Sequence, residues 1–224
     1  MTTGDRGDLA TATAHRAWDQ CWGTEEGRSD WLVPESEVVS VASGLRAKGA
    51  RRAVDLGCGV GRHALCLASL GFTVAALDGS EAGIAFARNA AVKAGHAIDF
   101  QTGLMTDLPY ADQSFDYVLA WNVIYHGDRE VVQRCLAEIH RVLRRRGTFQ
   151  GTFLSQRNQH YGQGREIAPH TFILEGVSDK GHPHFYCHAA ELVKLLKGFE
   201  PVSLIDREQL QPVSYHWHFV AERL

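Results

Sequence analysis

Through the middle of the chain, short apolar runs alternate with stretches of helical periodicity. Ala53-Val-Asp-Leu56 is a brief, β-branched run that stops at a glycine, the pattern of a buried strand. Gly61–Leu70 follows as a helix with Ala64, Leu67 and Ala68 on one face. Phe72–Leu77 reads as a second strand, ending at Asp78. Ser80 then caps a helix that runs to about Lys93 and stops at Gly95. Ile98–Thr102 is a weaker third strand and Asp116–Trp121 a strongly apolar fourth. Val132, Cys135, Leu136, Ile139, Val142 and Leu143 recur at helical spacing, and Gly147 ends that helix. Arg144-Arg-Arg146 reads as its solvated last turn, where cations complement the helix dipole. Thr148–Leu154 is a fifth strand. A polar segment rich in glycine and histidine runs from Ser155 to His188. A helix (Ala189–Leu196) and two strands (Val202–Arg207, Tyr215–Glu222) close the chain.

Alternating strands and helices predict a parallel sheet covered on both faces, a three-layer α/β/α sandwich. Only a short turn around Gln211-Pro212 joins the last two strands, which forces an antiparallel pair. The fold class is therefore α/β, with a mostly parallel seven-stranded sheet and an antiparallel C-terminal edge. In such open sheets ligands sit beyond the carboxyl ends of the strands. That places the site in the loops after Asp55, Asp78, Thr102 and Trp121.

Composition narrows the class. The 224 residues suit one domain, with residues 1–50 as a helical lid, 51–154 as the core, 155–188 as an insertion and 189–224 as a C-terminal helix and strand pair. Met1–Asp8 is polar and glycine-rich and is expected to lack order. A formal net charge of -3 does not favour a nucleic acid as main partner. No apolar run approaches the roughly 20 residues of a membrane span. No signal peptide is read, and five cysteines without CxxC spacing fit free thiols in a reducing, cytoplasmic setting.

The first strand runs into Asp55-Leu-Gly57-Cys58-Gly59-Val-Gly61-Arg62. Glycines there permit a sharp turn and close approach of a ligand. The dinucleotide fingerprint GxGxxG needs its third glycine where Arg62 stands, which argues against a nicotinamide-dependent oxidoreductase. Asp78 lies where a carboxylate accepts hydrogen bonds from ribose hydroxyls, although it also suits a plain helix flank. This order of motifs, with Leu108-Pro109 and Phe115-Asp-Tyr-Val-Leu119 after it, resembles the class I S-adenosylmethionine-dependent methyltransferases over roughly residues 50–155. Gly61–His63 and Leu70–Phe72 further resemble their tellurite-resistance-type, small-molecule branch.

The resemblance implies a Rossmann-like fold and S-adenosyl-L-methionine as cofactor, with S-adenosyl-L-homocysteine as product. By position it implies that Asp55 and the Gly57–Gly61 backbone, with Cys58 and Arg62, hold the methionine end. Asp78, Gly79 and Ser80 would hold the ribose, and Trp121 and Asn122 would meet the amino-acid part. Relatives carry an acid after the glycine at Gly103 to accept the adenine amino group, and this chain has Leu104. Either Asp107 substitutes, or Leu104 and Met105 hold the adenine by apolar contact.

For the acceptor, aromatic walls suit a sulfonium and its methyl group. Trp18, Trp22 and Trp31 crowd the N-terminal segment, as lid or as core packing. Tyr125 and His126 follow the fourth strand, where a histidine serves as base near neutral pH or simply braces the loop. Tyr161 and Arg165 lie in a glycine-rich stretch, and Arg165 has the geometry to clamp an anion. His182, His184 and Tyr186, with His188, share one face if extended, so that His184 is a second candidate base. His182, His184 and His188 with Cys187 carry zinc-ligand chemistry, but their spacing matches no standard finger and no metal is expected. The function expected is methyl transfer to a small polar, anionic acceptor. The alternatives are methylation of tRNA or protein, or a non-catalytic cofactor-binding module.

Overall fold

The computed structural model describes residues 10–177, 179–209 and 212–224. Met1–Asp8 and Gln211 of the C-terminal turn lie outside the described residues.

Five strands form the parallel part of the sheet: β1 (Arg52–Leu56), β2 (Thr73–Asp78), β3 (Ile98–Thr102), β4 (Phe115–Ala120) and β5 (Leu143–Ser155), in the order β3-β2-β1-β4-β5. The other five are β6 (Arg165–Ala168), β7 (Thr171–Ile173), β8 (His184–Cys187), β9 (Phe199–Glu208) and β10 (Tyr215–Arg223). β10 runs antiparallel to β5 on one side and to β9 on the other. The antiparallel pair therefore stands at the expected margin, with β9 outermost.

Side chains alternate between two cores, as strand geometry requires. Val54, Leu56, Val118 and Ala120 join the core beneath α6 (Arg129–Val142) and α7 (Ala189–Leu195). Ala53, Val74, Tyr117 and Leu119 join the core under α3 (Ser36–Ala47), α4 (Arg62–Ser69) and α5 (Glu81–Ala94). Ser80 caps α5 by accepting from the Gly83 amide, and Gly95 ends it in the left-handed conformation, both as predicted. α6 stops at Val142, short of Gly147. Leu143 is already extended and pairs with Phe115, and Arg144 pairs with the buried Asp116 at 2.5 Å. Arg144–Arg146 thus begins β5 instead of ending a helix: the sheet claims these residues against their helical propensity.

Two regions bear on the site. Before β1 lie α1 (Ala14–Trp22), α2 (Glu25–Arg28) and a 3₁₀ turn (Ser29–Trp31). Between β5 and α7, β6, β7 and β8 pair antiparallel in sequence. β8 also pairs parallel with the end of β5, through Leu154 with Tyr186 and Ser155 with Cys187. The insertion is stitched to the loop after β4 by Phe185 donating to the Tyr125 carbonyl (2.9 Å) and Gly127 to that of Pro183 (3.0 Å).

Candidate active site

The register of the strands decides where a ligand fits. Leu56 pairs with Leu77, so β1 and β2 release their chains side by side. Gly57 and Cys58 both donate to the Leu77 carbonyl, at 2.7 and 3.1 Å, which holds the glycine loop against the end of β2. Gly57 and Gly59 have φ of 63° and 51°, left-handed values that suit glycine. A Cβ on Gly57 would stand 2.1 Å from a methyl of Val123, and one on Gly59 3.0 Å from the Trp22 ring. Gly61 packs on Ala87 of α5 and faces away from the cleft.

Asp78 clamps this loop. One of its carboxylate oxygens accepts from the Gly59 amide (2.7 Å), the other from the Ser80 amide (2.8 Å). Burial raises its pKa, and the two amides oppose that rise. Asp55 lies beneath the loop, fully buried, and its Oδ2 has no hydrogen-bond partner among the described residues. Burial pushes its carboxyl up to about 7, although nearby Arg62 pulls the other way. Arg62 reaches across to the N-terminal segment. It donates to the Val33 carbonyl (3.0 Å), pairs with Glu35 (3.4 Å) and lies over the Trp31 ring at 5.1 Å.

The helices before β1 close the top. Trp18 stacks on Trp22 with centroids 4.8 Å apart, and Trp31 meets both edge-on. Asp19 fastens α1 to the start of α5: its Oδ1 accepts from the Ser80 hydroxyl (2.7 Å) and the Ala82 amide (2.9 Å). The Ala82 amide is the largest cause holding its carboxyl below the usual range. His15 sits on Gly79, where a Cβ would come within 2.5 Å of the histidine's own.

Together these elements enclose a cleft of about 920 Å³, its open mouth included, within the roughly 300–1,000 Å³ typical of ligand sites. Of the residues singled out in the sequence, Gly57, Cys58, Gly59, Arg62, Asp78, Gly79, Leu104, Met105, Trp18, Trp22, Trp121, Asn122 and His126 line it. Ser80 stands behind as the α5 cap. Asp107 is exposed and off the wall, so Leu104 and Met105 furnish the surface after β3. The Asn122 amide is committed to Thr152 Oγ1 (2.8 Å), and its carbonyl accepts from His126 Nε2 (3.0 Å).

The acceptor candidates divide. His126 faces the cleft. Its Nδ1 lies 2.8 Å from Nε2 of His182, and His184 Nδ1 lies 2.7 Å from the His182 carbonyl. Tyr125 and His184 are buried just behind. Tyr161, Tyr186 and Phe172 form an aromatic cluster inside the insertion, with Tyr161 Oη 2.8 Å from His170 Nδ1. Arg165 is exposed on β6 and off the cleft wall, which takes the expected anion clamp away from it. Its place in a short hairpin was hidden by the glycines and proline around it.

Sequence reasoning passed over Asp19, His15 and the wall residue His63. Polar residues on an amphipathic N-terminal helix give no signal of a partner some 60 positions away. His63 accepts from the Glu35 amide (3.2 Å), and burial lowers its pKa to about 3.

Comparison with known proteins agrees with this geometry. Residues 54–150 match the family model of a methyltransferase domain. The chain is 34% identical over 85 residues to a ubiquinone biosynthesis O-methyltransferase of Azorhizobium caulinodans, covering 38% of this chain and 34% of that one. It is 31% identical over 172 residues to the glycine/sarcosine/dimethylglycine N-methyltransferase of Actinopolyspora halophila, covering 73% and 28%. The chain thus spans about a third of the length of these curated relatives. Its fold superposes on the 1,6-didemethyltoxoflavin-N1-methyltransferase of Burkholderia thailandensis, bound to its substrate and S-adenosylhomocysteine, with a TM-score of 0.69 at 20% identity, covering 98% and 92%. The fold is that of solved S-adenosylmethionine-dependent methyltransferases. Within it, residues 54–150 are the stretch that matches a methyltransferase domain.

Proposed function

We propose that this protein transfers the methyl group of S-adenosylmethionine to a small polar molecule. The observation that carries the reading is one continuous cleft. Its floor is a glycine loop clamped to Asp78, its roof is three tryptophans, and a buried histidine stands at its inner wall.

The residues fit the cofactor. Each Asp78 oxygen already accepts one amide and keeps a lone pair for a ribose hydroxyl. The unpartnered Asp55 Oδ2 offers charge beneath the methionine end. The Asn122 carbonyl has a second lone pair for an amino group, and Leu104 and Met105 offer an apolar slot for the adenine. When bound, the cofactor supplies a sulfonium methyl, which passes in line to the acceptor as the carbon–sulfur bond breaks and its electron pair stays on sulfur. The chain's part is to align the reactants and to exclude water. The N-terminal helices would act as the lid, and the stacked Trp18 and Trp22 that line the cleft would offer an aromatic wall to a sulfonium. Burial holds the pKa of His126 well below its ordinary value, so its imidazole stands neutral at the inner wall. With Arg165 outside the cleft, the acceptor is better described as polar with a proton to lose than as an anion.

Calorimetry with S-adenosylhomocysteine, with NAD as control, tests this. Micromolar binding of the first and none of the second is expected, followed by methyl incorporation in a screen of small hydroxyl, amine and thiol compounds. Binding of NAD alone would overturn the reading of the glycine loop.

A further inference from the structure

We propose that His126, His182 and His184 form a three-nitrogen site for a late first-row divalent metal ion, zinc by preference, at the inner end of the cleft. This departs from the sequence expectation of no metal, and from its zinc grouping of His182, His184, His188 and Cys187. In the fold Cys187 donates to the Leu154 carbonyl, and His188 turns away to cap α7. His126, 56 positions before His182, takes their place across the His126–His184 bridge. One ring nitrogen from each of the three lies within 4.8 Å of the others, and all three residues are buried.

Two further observations point to a ligand. First, two of the three rings are held by backbone carbonyls in the tautomers a metal needs. His126 Nε2 faces the Asn122 carbonyl at 3.0 Å, and His184 Nδ1 faces the His182 carbonyl at 2.7 Å. A carbonyl only accepts, so both of these nitrogens carry the proton. His184 Nε2 is thereby left with a bare lone pair, and the His126 Nδ1 lone pair meets only the His182 ring, whose Nε2 lies 2.8 Å away; a backbone carbonyl on the far nitrogen is the arrangement that orients histidine ligands in metalloproteins. Second, His184 Nε2 and His182 Nδ1 are buried without a hydrogen-bond partner among the described residues, and a coordinated ion would relieve that cost at His184 Nε2. The nearby Lys180 ammonium is paired with Asp179 at 2.9 Å.

Three neutral nitrogens leave a tetrahedral ion with one open position, as in catalytic zinc sites. His126 lines the cleft, and the Trp18 ring stands 6.1 Å from His126 and 6.4 Å from His182. The open position therefore faces the space under the lid. If the methyl-transfer reading holds, the ion selects acceptors whose oxygen or sulfur can bind it, and it favours loss of their proton to solvent before transfer.

The test is titration of chelator-treated protein with zinc by calorimetry and with cobalt(II) by absorption. One ion per chain is expected, with intense tetrahedral cobalt bands. His126→Ala and His184→Ala should each weaken zinc binding by more than about 10-fold, the loss that even partners outside the ligand shell can cause. His188→Ala should leave it unchanged. Far-ultraviolet circular dichroism and thermal melting report whether each variant is folded, and S-adenosylhomocysteine affinity is measured in parallel. Failure of the wild-type protein to bind zinc, an octahedral cobalt spectrum, or unchanged binding in folded variants would each overturn the site. Zinc binding without S-adenosylhomocysteine binding would leave the metal site standing and remove the methyltransferase reading. The reverse result would remove only the metal.

Discussion

Two carboxylates beneath one loop have opposite tasks. Asp78 is braced by two amides and ready to accept more. Replacing it with Asn keeps the shape but loses charge-assisted bonds worth about 1.5–3 kcal/mol each. Asp78→Asn should therefore weaken S-adenosylhomocysteine binding by about 10- to 100-fold by calorimetry. Asp55 is buried with one oxygen unpartnered and titrates at about 7. Its folded pKa lies above the unfolded value, so its ionisation opposes folding, and the penalty grows between about pH 4 and 7. A ligand that draws on the Asp55 charge reverses that preference. Affinity for S-adenosylhomocysteine should rise with pH up to about 7 and then level off, with proton release below 7. Calorimetry in buffers of different ionisation enthalpy reads that release, and Asp55→Asn should abolish it.

At the scale of elements, one side chain of α1 does two jobs in fastening that helix to α5. Asp19 caps the start of α5 from outside and bonds the serine that caps it from within. Asp19→Ala should lower stability by about 0.5–2 kcal/mol, the usual range for a lost cap, and should speed S-adenosylhomocysteine release in stopped-flow. The carboxyl titrates below its ordinary value, so this contribution is present at neutral pH and fades as the pH falls through its folded pKa. The elements around the glycine loop were legible in the sequence because local signals agree there. Ser80, Gly95 and the apolar runs of β1, β2 and β4 all predict the structure found. The insertion was not legible. β6, β7 and β8 are four, three and four residues long, too short for a period to emerge, and pairing with each other and with β5 makes them strands. The same limit hid the His126–His182–His184 cluster, whose members are joined only by tertiary contact. Arg165, chosen for its chemistry, lacked any sequence signal of which way its hairpin points.

For the whole molecule, acid should be the main threat. His63 is buried, accepts the Glu35 amide and binds its own proton only near pH 3. The unfolded chain takes that proton near 6.5, so the His63 contribution is full above about pH 6.5 and is lost progressively toward pH 3. The loss approaches about 1.4 kcal/mol per pH unit between those limits. Urea unfolding at a series of pH values should reveal the slope, and His63→Gln, which keeps an acceptor but cannot be protonated there, should flatten it. Among the described residues no helix is long and apolar enough to cross a membrane, and the five cysteines are free.

The tryptophan roof also has an optical consequence. The chain has five tryptophans, and four of them (Trp18, Trp22, Trp31 and Trp121) line the cleft. Most of the protein's tryptophan fluorophores thus surround one cavity, and the stacked Trp18–Trp22 pair should couple its transitions into a distinct near-ultraviolet dichroism band. The molecule carries its own stopwatch: each arrival of a ligand and each movement of the roof should register in its intrinsic light, without any attached dye.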